Sequence, residues 1–139
     1  MGYKMNAGYS QRPLIQKLGI KPGAQIAILN APETYAALLG PLPPGVVRQP
    51  RLVEGLDFIH FFTKSADELK SQFPQLKVAL AKNGMLWISW PKKSSKVVTD
   101  LDENLIRDFG LAEGLVDVKV AAIDSIWSGL KFVYRVRDR

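Results

Sequence analysis

Apolar residues fall into short runs separated by breaks containing Pro, Gly and Asn, and the period of the pattern changes from run to run. Residues 24–29, 56–62 and 85–90 are close to continuously apolar, which predicts parallel strands covered on both faces. Between the last two, Leu69, Phe73, Leu76 and Leu80 recur at helical spacing behind a Ser65–Glu68 capping box. Pro74 should kink or restart that helix, and Asn83-Gly84 should end it. Asp100 and Glu103 repeat the capping spacing ahead of a helix burying Leu101, Leu105, Ile106 and Phe109, with Gly114 as its stop. Near the start, residues 10–19 read as a short helix capped at Ser10, behind a flexible segment 1–9. Asn30 can cap a helix over residues 32–39, and four prolines between Gly40 and Gly55 leave room only for a short strand near Val46 to Arg48. Residues 116–123 and 130–136 flank a loop, 124–129, short enough to make an antiparallel hairpin.

This alternation predicts an α/β fold: a three-layer, Rossmann-like, mostly parallel sheet with a C-terminal antiparallel hairpin, built as one domain over residues 1–139. The order of elements over roughly residues 24–137 resembles the Rossmann-like methyltransferases, whose domain also closes with such a hairpin. In those proteins and in dinucleotide enzymes the first strand runs into a glycine-rich turn, because only glycine lets the backbone approach a cofactor closely. Here the segment is Asn30-Ala31-Pro32-Glu33-Thr34-Tyr35. Pro32 removes an amide donor, and Glu33 adds negative charge at a helix start. Binding in the usual nucleotide mode is therefore disfavoured, and no cofactor is expected. Glu54 is the acid nearest the position of a ribose-binding carboxylate, and the match is weak.

The 139 residues are 47% hydrophobic, enough for a real core, and no window reaches the roughly 18 apolar residues of a membrane span. A cytoplasmic protein without membrane contact is expected. With no cysteine and one histidine, His60, the chain has no disulfide, no thiolate chemistry and no site needing two imidazoles. A formal charge of +6 favours anionic partners, although the basic residues are spread along the chain.

Ligands of open α/β sheets bind beyond the carboxyl ends of the strands. The loops expected there supply the candidate ligand-binding residues Asn30, Glu33, Tyr35, Lys64, Trp90, Lys92, Lys93, Asp124 and Trp127. Trp90 beside Lys92 and Lys93 could stack on a ring while the ammonium groups meet phosphate, or it could cap the core with solvated lysines beside it. Trp127 carries the same two readings. Asp124 could orient a donor or receive Lys92 or Lys93. Asn30 and Glu33 also have the spacing of a helix cap. His60, inside an apolar strand, reads as a structural histidine, with Asp57 on the other face. Lys131, Arg135 and Arg137 share one parity of the final strand, either as a phosphate-tracking stripe or as its solvent side.

Five segments are similar to an uncharacterised bacterial family of small proteins, a domain-of-unknown-function family: residues 13–23, 30–33, 39–43, 90–94 and 127–131. The resemblance implies a small, free-standing bacterial protein and carries no catalytic residues with it. Together these features make a non-catalytic or regulatory module for an anionic small molecule the leading expectation. A diverged methyltransferase-like enzyme and a nucleic-acid-binding protein are the alternatives, and an exposed sheet edge would permit a homo-oligomer.

Overall fold

The structure is a computed structural model that describes residues 12–139. The segment expected to be flexible, 1–9, and the cap at Ser10 lie outside the described residues. Six strands form one sheet: β1 (Gln25–Leu29), β2 (Val47–Gln49), β3 (Leu56–Phe62), β4 (Leu80–Pro91), β5 (Leu115–Ala122) and β6 (Trp127–Tyr134). Their order is β2-β1-β3-β4-β6-β5. The first four are parallel, and β6 inserts antiparallel between β4 and β5. This is the α/β, Rossmann-like sheet with a C-terminal antiparallel hairpin that the alternation of elements predicts.

Strand alternation sorts the side chains onto two faces. Ile59, Phe61, Leu86 and Ile88 meet helices α3 (Ala66–Ala79) and α4 (Glu103–Ala112) on one face. Phe58, Phe62 and Trp87 meet α1 (Leu14–Leu18) and α2 (Tyr35–Leu39) on the other. The first face is sealed by Phe73, which packs edge-on against both Phe109 and Phe132. On the second, Trp87 Nε1 donates to the carbonyl of Leu18 at 2.9 Å and so fastens the short α1 to the sheet.

The observed boundaries differ from the sequence pattern where local caps compete. Helix α2 starts at Tyr35, not Pro32. Asn30 has φ +61°, a left-handed turn conformation in which the expected cap does not form. Helix α3 continues through Pro74 and ends at Ala79, and Leu80 already pairs with Leu56, so Asn83 and Gly84 lie within β4. Ser65 caps α3 as expected, accepting from the Glu68 amide at 3.2 Å. The Glu68 carboxylate does not return to Ser65 and instead accepts from Thr63 Oγ1 at 2.5 Å. Helix α4 is capped by Asp102, which accepts from the Leu105 amide. Asp100 instead accepts from Ala66 N at 2.8 Å and ties the loop after β4 to the start of α3. Strand β6 ends at Tyr134. Arg135 and Arg137 therefore leave the sheet, the former donating to Leu111 O, and the stripe expected along that strand does not form.

Candidate functional site

The chain places β2 on one side of β1 and then crosses to place β3 on the other. The connection leaving β1 runs to β2 and the one leaving β3 runs through α3 to β4, so they diverge beyond the carboxyl ends of β1 and β3, which is where an open α/β sheet leaves a crevice. A cavity of about 580 Å³ opens there, lined by Asn30 and Pro32 after β1 and by Phe62, Thr63, Lys64, Ser65 and Glu68 around the end of β3. Trp127, from the first position of β6, closes one side. Its ring meets Phe62 edge-on with centroids 5.2 Å apart. The volume lies within the usual range for small-molecule sites.

The walls are chemically mixed. One ammonium (Lys64), one carboxylate (Glu68), two hydroxyls and two aromatic rings face a single space. The loop bearing them is fixed from several directions. Thr99 Oγ1 donates to Lys64 O at 2.6 Å, and Thr63 Oγ1 also contacts the Ser65 backbone. Lys64 and Glu68 are exposed, whereas Thr63 is buried.

Below the cavity a buried polar chain crosses the second face. Tyr35 Oη lies 2.7 Å from His60 Nδ1, and His60 Nε2 lies 2.7 Å from Ser89 Oγ. His60 and Ser89 are completely buried, and Tyr35 is 2% exposed. Burial disfavours imidazolium and lowers the His60 pKa to about 3, so the ring is neutral, with one nitrogen donating and the other accepting. Burial likewise holds the Tyr35 phenol above its ordinary value, opposed only by the positive Arg48. The Ser–His–Tyr geometry resembles that of a nucleophile and its base, yet Ser89 has no access to solvent. It is a core network, as expected of a structural histidine.

The nine candidates from the sequence do not form one site. Asn30, Lys64 and Trp127 line the cavity. Trp90, Lys92 and Lys93 line a separate cavity of about 440 Å³ beneath the loop after β4. The division follows from register: Trp90 pairs with Ser128 and Pro91 with Trp127, so the two tryptophans project to opposite faces. Trp90 is 5% exposed within the first core cluster. Asp124 is a turn former: its Oδ1 accepts from the Ile126 and Trp127 amides at 2.8 and 2.7 Å. Tyr35 belongs to the buried network. Glu33 is exposed and lines neither cavity. Glu54 precedes β3 and lies at the opposite end of the sheet, against the last turns of α3. The residues actually following β2 are Pro50 and Arg51, so that position offers no carboxylate to a ribose. Sequence reasoning missed Phe62 and Glu68. A residue in the first turn of the helix after a parallel strand reaches the carboxyl edge, and that signal was available for Glu68.

No family model matches the chain, and no curated protein does. The similarity to an uncharacterised bacterial family therefore gains no support from them. Solved structures do match. The Methanococcus jannaschii fibrillarin pre-rRNA processing protein superposes with a TM-score of 0.56 at 15% identity, over 91% of this chain and 70% of that one. A TehB-like SAM-dependent methyltransferase from Corynebacterium glutamicum gives 0.57 at 11% identity, over 93% and 91%. The magnesium protoporphyrin IX methyltransferase of Synechocystis, solved with bound SAH, gives 0.57 at 11% identity, over 88% and 78%. The fold is that of Rossmann-like methyltransferases.

These neighbours correct the leading functional expectation. A fold shared with methyltransferases favours the methyltransferase-like alternative over a non-catalytic or regulatory module for an anionic small molecule. The geometry removes the motivation for that module too, because Trp90, Lys92 and Lys93 do not face the switch-point cavity. Among the described residues, no helix is long and apolar enough to cross a membrane.

Proposed function

We propose that the chain is a diverged methyltransferase-like enzyme that holds an S-adenosylmethionine-type ligand in the cavity at the β1–β3 switch point. The observation that carries this reading is the position of that cavity, at the one crevice that the strand order creates. The proposal departs from the expectation of no cofactor, and the cavity walls supply the reason. A zwitterionic amino acid joined to an adenosyl group needs a cation for its carboxylate, an anion for its positive charges and a flat apolar face for its ring. Lys64, Glu68 and the Phe62–Trp127 pair present those three features around one space.

The usual backbone cradle is reduced. Asn30 makes the left-handed turn that glycine makes elsewhere, Pro32 offers no amide, and α2 is only five residues long. Recognition here therefore rests on side chains. When bound, such a ligand supplies an electrophilic methyl group. The chain's own part is to orient it: Thr63 holds the Glu68 carboxylate in place, and the buried Tyr35–His60–Ser89 chain stiffens the strand ends beneath. His60 is sealed from solvent and takes no part in proton removal from an acceptor.

Isothermal calorimetry and thermal melting with S-adenosylmethionine at about 1 mM test the reading, since a ligand at tenfold its Kd stabilises by roughly 1.4 kcal/mol. Saturable heat and a raised Tm are expected, with Glu68→Gln and Lys64→Ala each weakening binding about tenfold, the loss of one charge-assisted contact. Neither heat nor a shift in Tm from the unsubstituted protein would overturn the assignment.

A further inference from the structure

At the other end of the same sheet face, Lys21, Lys119 and Lys131 gather with no salt bridge among the described residues. Lys119 on β5 is the cross-strand partner of Lys131 on β6, so their side chains rise from the same face. Lys119 Nζ donates to Lys17 O at 2.9 Å, and Lys17 Nζ donates to Ala122 O at 2.9 Å, which folds the end of α1 over this strand pair. Lys21 follows two residues beyond Gly19. Among the described residues neither these three nor Lys17 forms an ion pair, and the three salt bridges present involve only Arg107 and Arg137. Burial first, and then the neighbouring cations, lowers the pKa values of Lys17 and Lys131. Lys119 acts on both and Lys21 acts on Lys131, whereas Lys17, whose ammonium reaches Ala122 O toward the carboxyl end of β4, also feels Arg12 and Lys92. Like charges held this close are relieved when an anion binds between them.

The surface between Lys21 and Lys131 is concave. Two cavities, of about 310 and 170 Å³, adjoin through shared walls at Asn83 and Met85. Lys21 stands on the rim of the first and Lys131 on the rim of the second. Phe58 and Met85 give the trough an apolar floor, and Asn83 adds an exposed amide. Asp57 also borders it at the Gln25 side, where its Oδ2 accepts from the Gln25 amide at 2.8 Å, so a phosphate is confined to the Lys21 and Lys131 rims. A bilayer is flat and would meet only the rims. A flexible polyanion with a flat ring on each unit can lay phosphates on the rims and a base on the floor.

We propose that this trough binds single-stranded nucleic acid, its phosphates on Lys21 and Lys131 and a base against Met85. The proposal is independent of any ligand at the switch-point cavity, which lies at the opposite end of the strands. Fluorescence anisotropy with a labelled oligouridylate of about 20 nucleotides, titrated between roughly 50 and 200 mM KCl, is the test, since each phosphate neutralised on a single strand adds about 0.7 to the salt slope. Lys131→Ala should reduce the slope by about that amount and weaken binding several-fold at low salt. Lys21→Ala/Lys131→Ala should roughly double the change in slope, whereas Lys70→Ala on α3 should behave as the unsubstituted protein. Thermal melting confirms that each variant is folded. No binding at 50 mM salt, or equal effects of Lys131→Ala and Lys70→Ala, would overturn it, as would binding to vesicles of phosphatidylserine without binding to the oligonucleotide.

Discussion

Tyr35 Oη and His60 Nδ1 meet at 2.7 Å inside the core, joining the first turn of α2 to the middle of β3. Their rings lie edge to face, and Phe62 stacks on the imidazole with centroids 4.1 Å apart. A short helix of five residues cannot hold itself in place. This hydrogen bond, together with burial of Leu39, fixes α2 and so sets where the cavity rim stands.

The burial of His60 makes a definite prediction about pH. The native imidazole titrates at about 3, whereas in the unfolded chain it titrates near 6.5. The unfolded state therefore binds the extra proton first. The stabilisation is present above pH 6.5 and is lost as pH falls toward 3, with a slope approaching about 1.4 kcal/mol per pH unit. Between pH 6.5 and 5 most carboxylates stay ionised, so urea midpoints in that window isolate the effect. His60→Gln should flatten the slope there. Because the sequence has one histidine, its imidazole proton shifts can be followed directly by NMR. Titration of those signals between pH 8 and 5 would show that the ring is not sealed.

Asp124 should behave as a turn former. Its single oxygen accepts two backbone amides, those of Ile126 and Trp127. Asp124→Ala should cost about 1–2 kcal/mol and speed hydrogen exchange at both amides. Unchanged exchange with altered ligand binding would instead return Asp124 to the list of direct ligand contacts.

Gly110 is required where α4 crosses β6. An added Cβ would lie 2.1 Å from Cε1 of Phe132, a fully buried ring that Phe73 also holds. Gly110→Ala gains helix propensity but overpacks the core, and a net loss of about 2–3 kcal/mol is expected. A urea midpoint equal to that of the unsubstituted protein would mean that the ring moves aside freely.

The sheet was legible because parallel strands buried on both faces must be nearly all apolar, and residues 56–62 and 85–90 show that in any order of reading. The candidate site was legible only in part. Asn30 and Lys64 follow strands whose ends are visible in the sequence, so their meeting follows from the direction of a parallel sheet. The parting of Trp90 from Trp127 depends on whether Trp90 pairs with Ser128 or one residue away, and a one-residue slip exchanges faces. Nothing in the local pattern of either strand sets that register. The lysine cluster was hidden for a related reason: Lys21, Lys119 and Lys131 come from three separate parts of the chain, and the register shift in β5 between Asp117 and Lys119 is what turns Lys119 toward Lys131.

The cavity's departure from a glycine-rich cradle can be tested at Pro32. If backbone amides carried recognition, Pro32→Ala would supply a missing donor at the cavity rim and tighten S-adenosylmethionine binding. The structure argues otherwise. Pro32 already shapes the turn into α2, where its carbonyl accepts from the Tyr35 amide at 3.0 Å, and the charged groups facing the space are the side chains of Lys64 and Glu68. Pro32→Ala should change affinity by less than about threefold, below 0.7 kcal/mol, while Glu68→Gln costs about tenfold. Trp127→Leu keeps the cavity lined but removes the extended ring, and should cost a further three- to tenfold, as expected for a stacking or cation–π contact of about 1 kcal/mol. The reverse ranking, with Pro32→Ala the largest effect, would place recognition back on the main chain after β1 and reduce the side chains to bystanders.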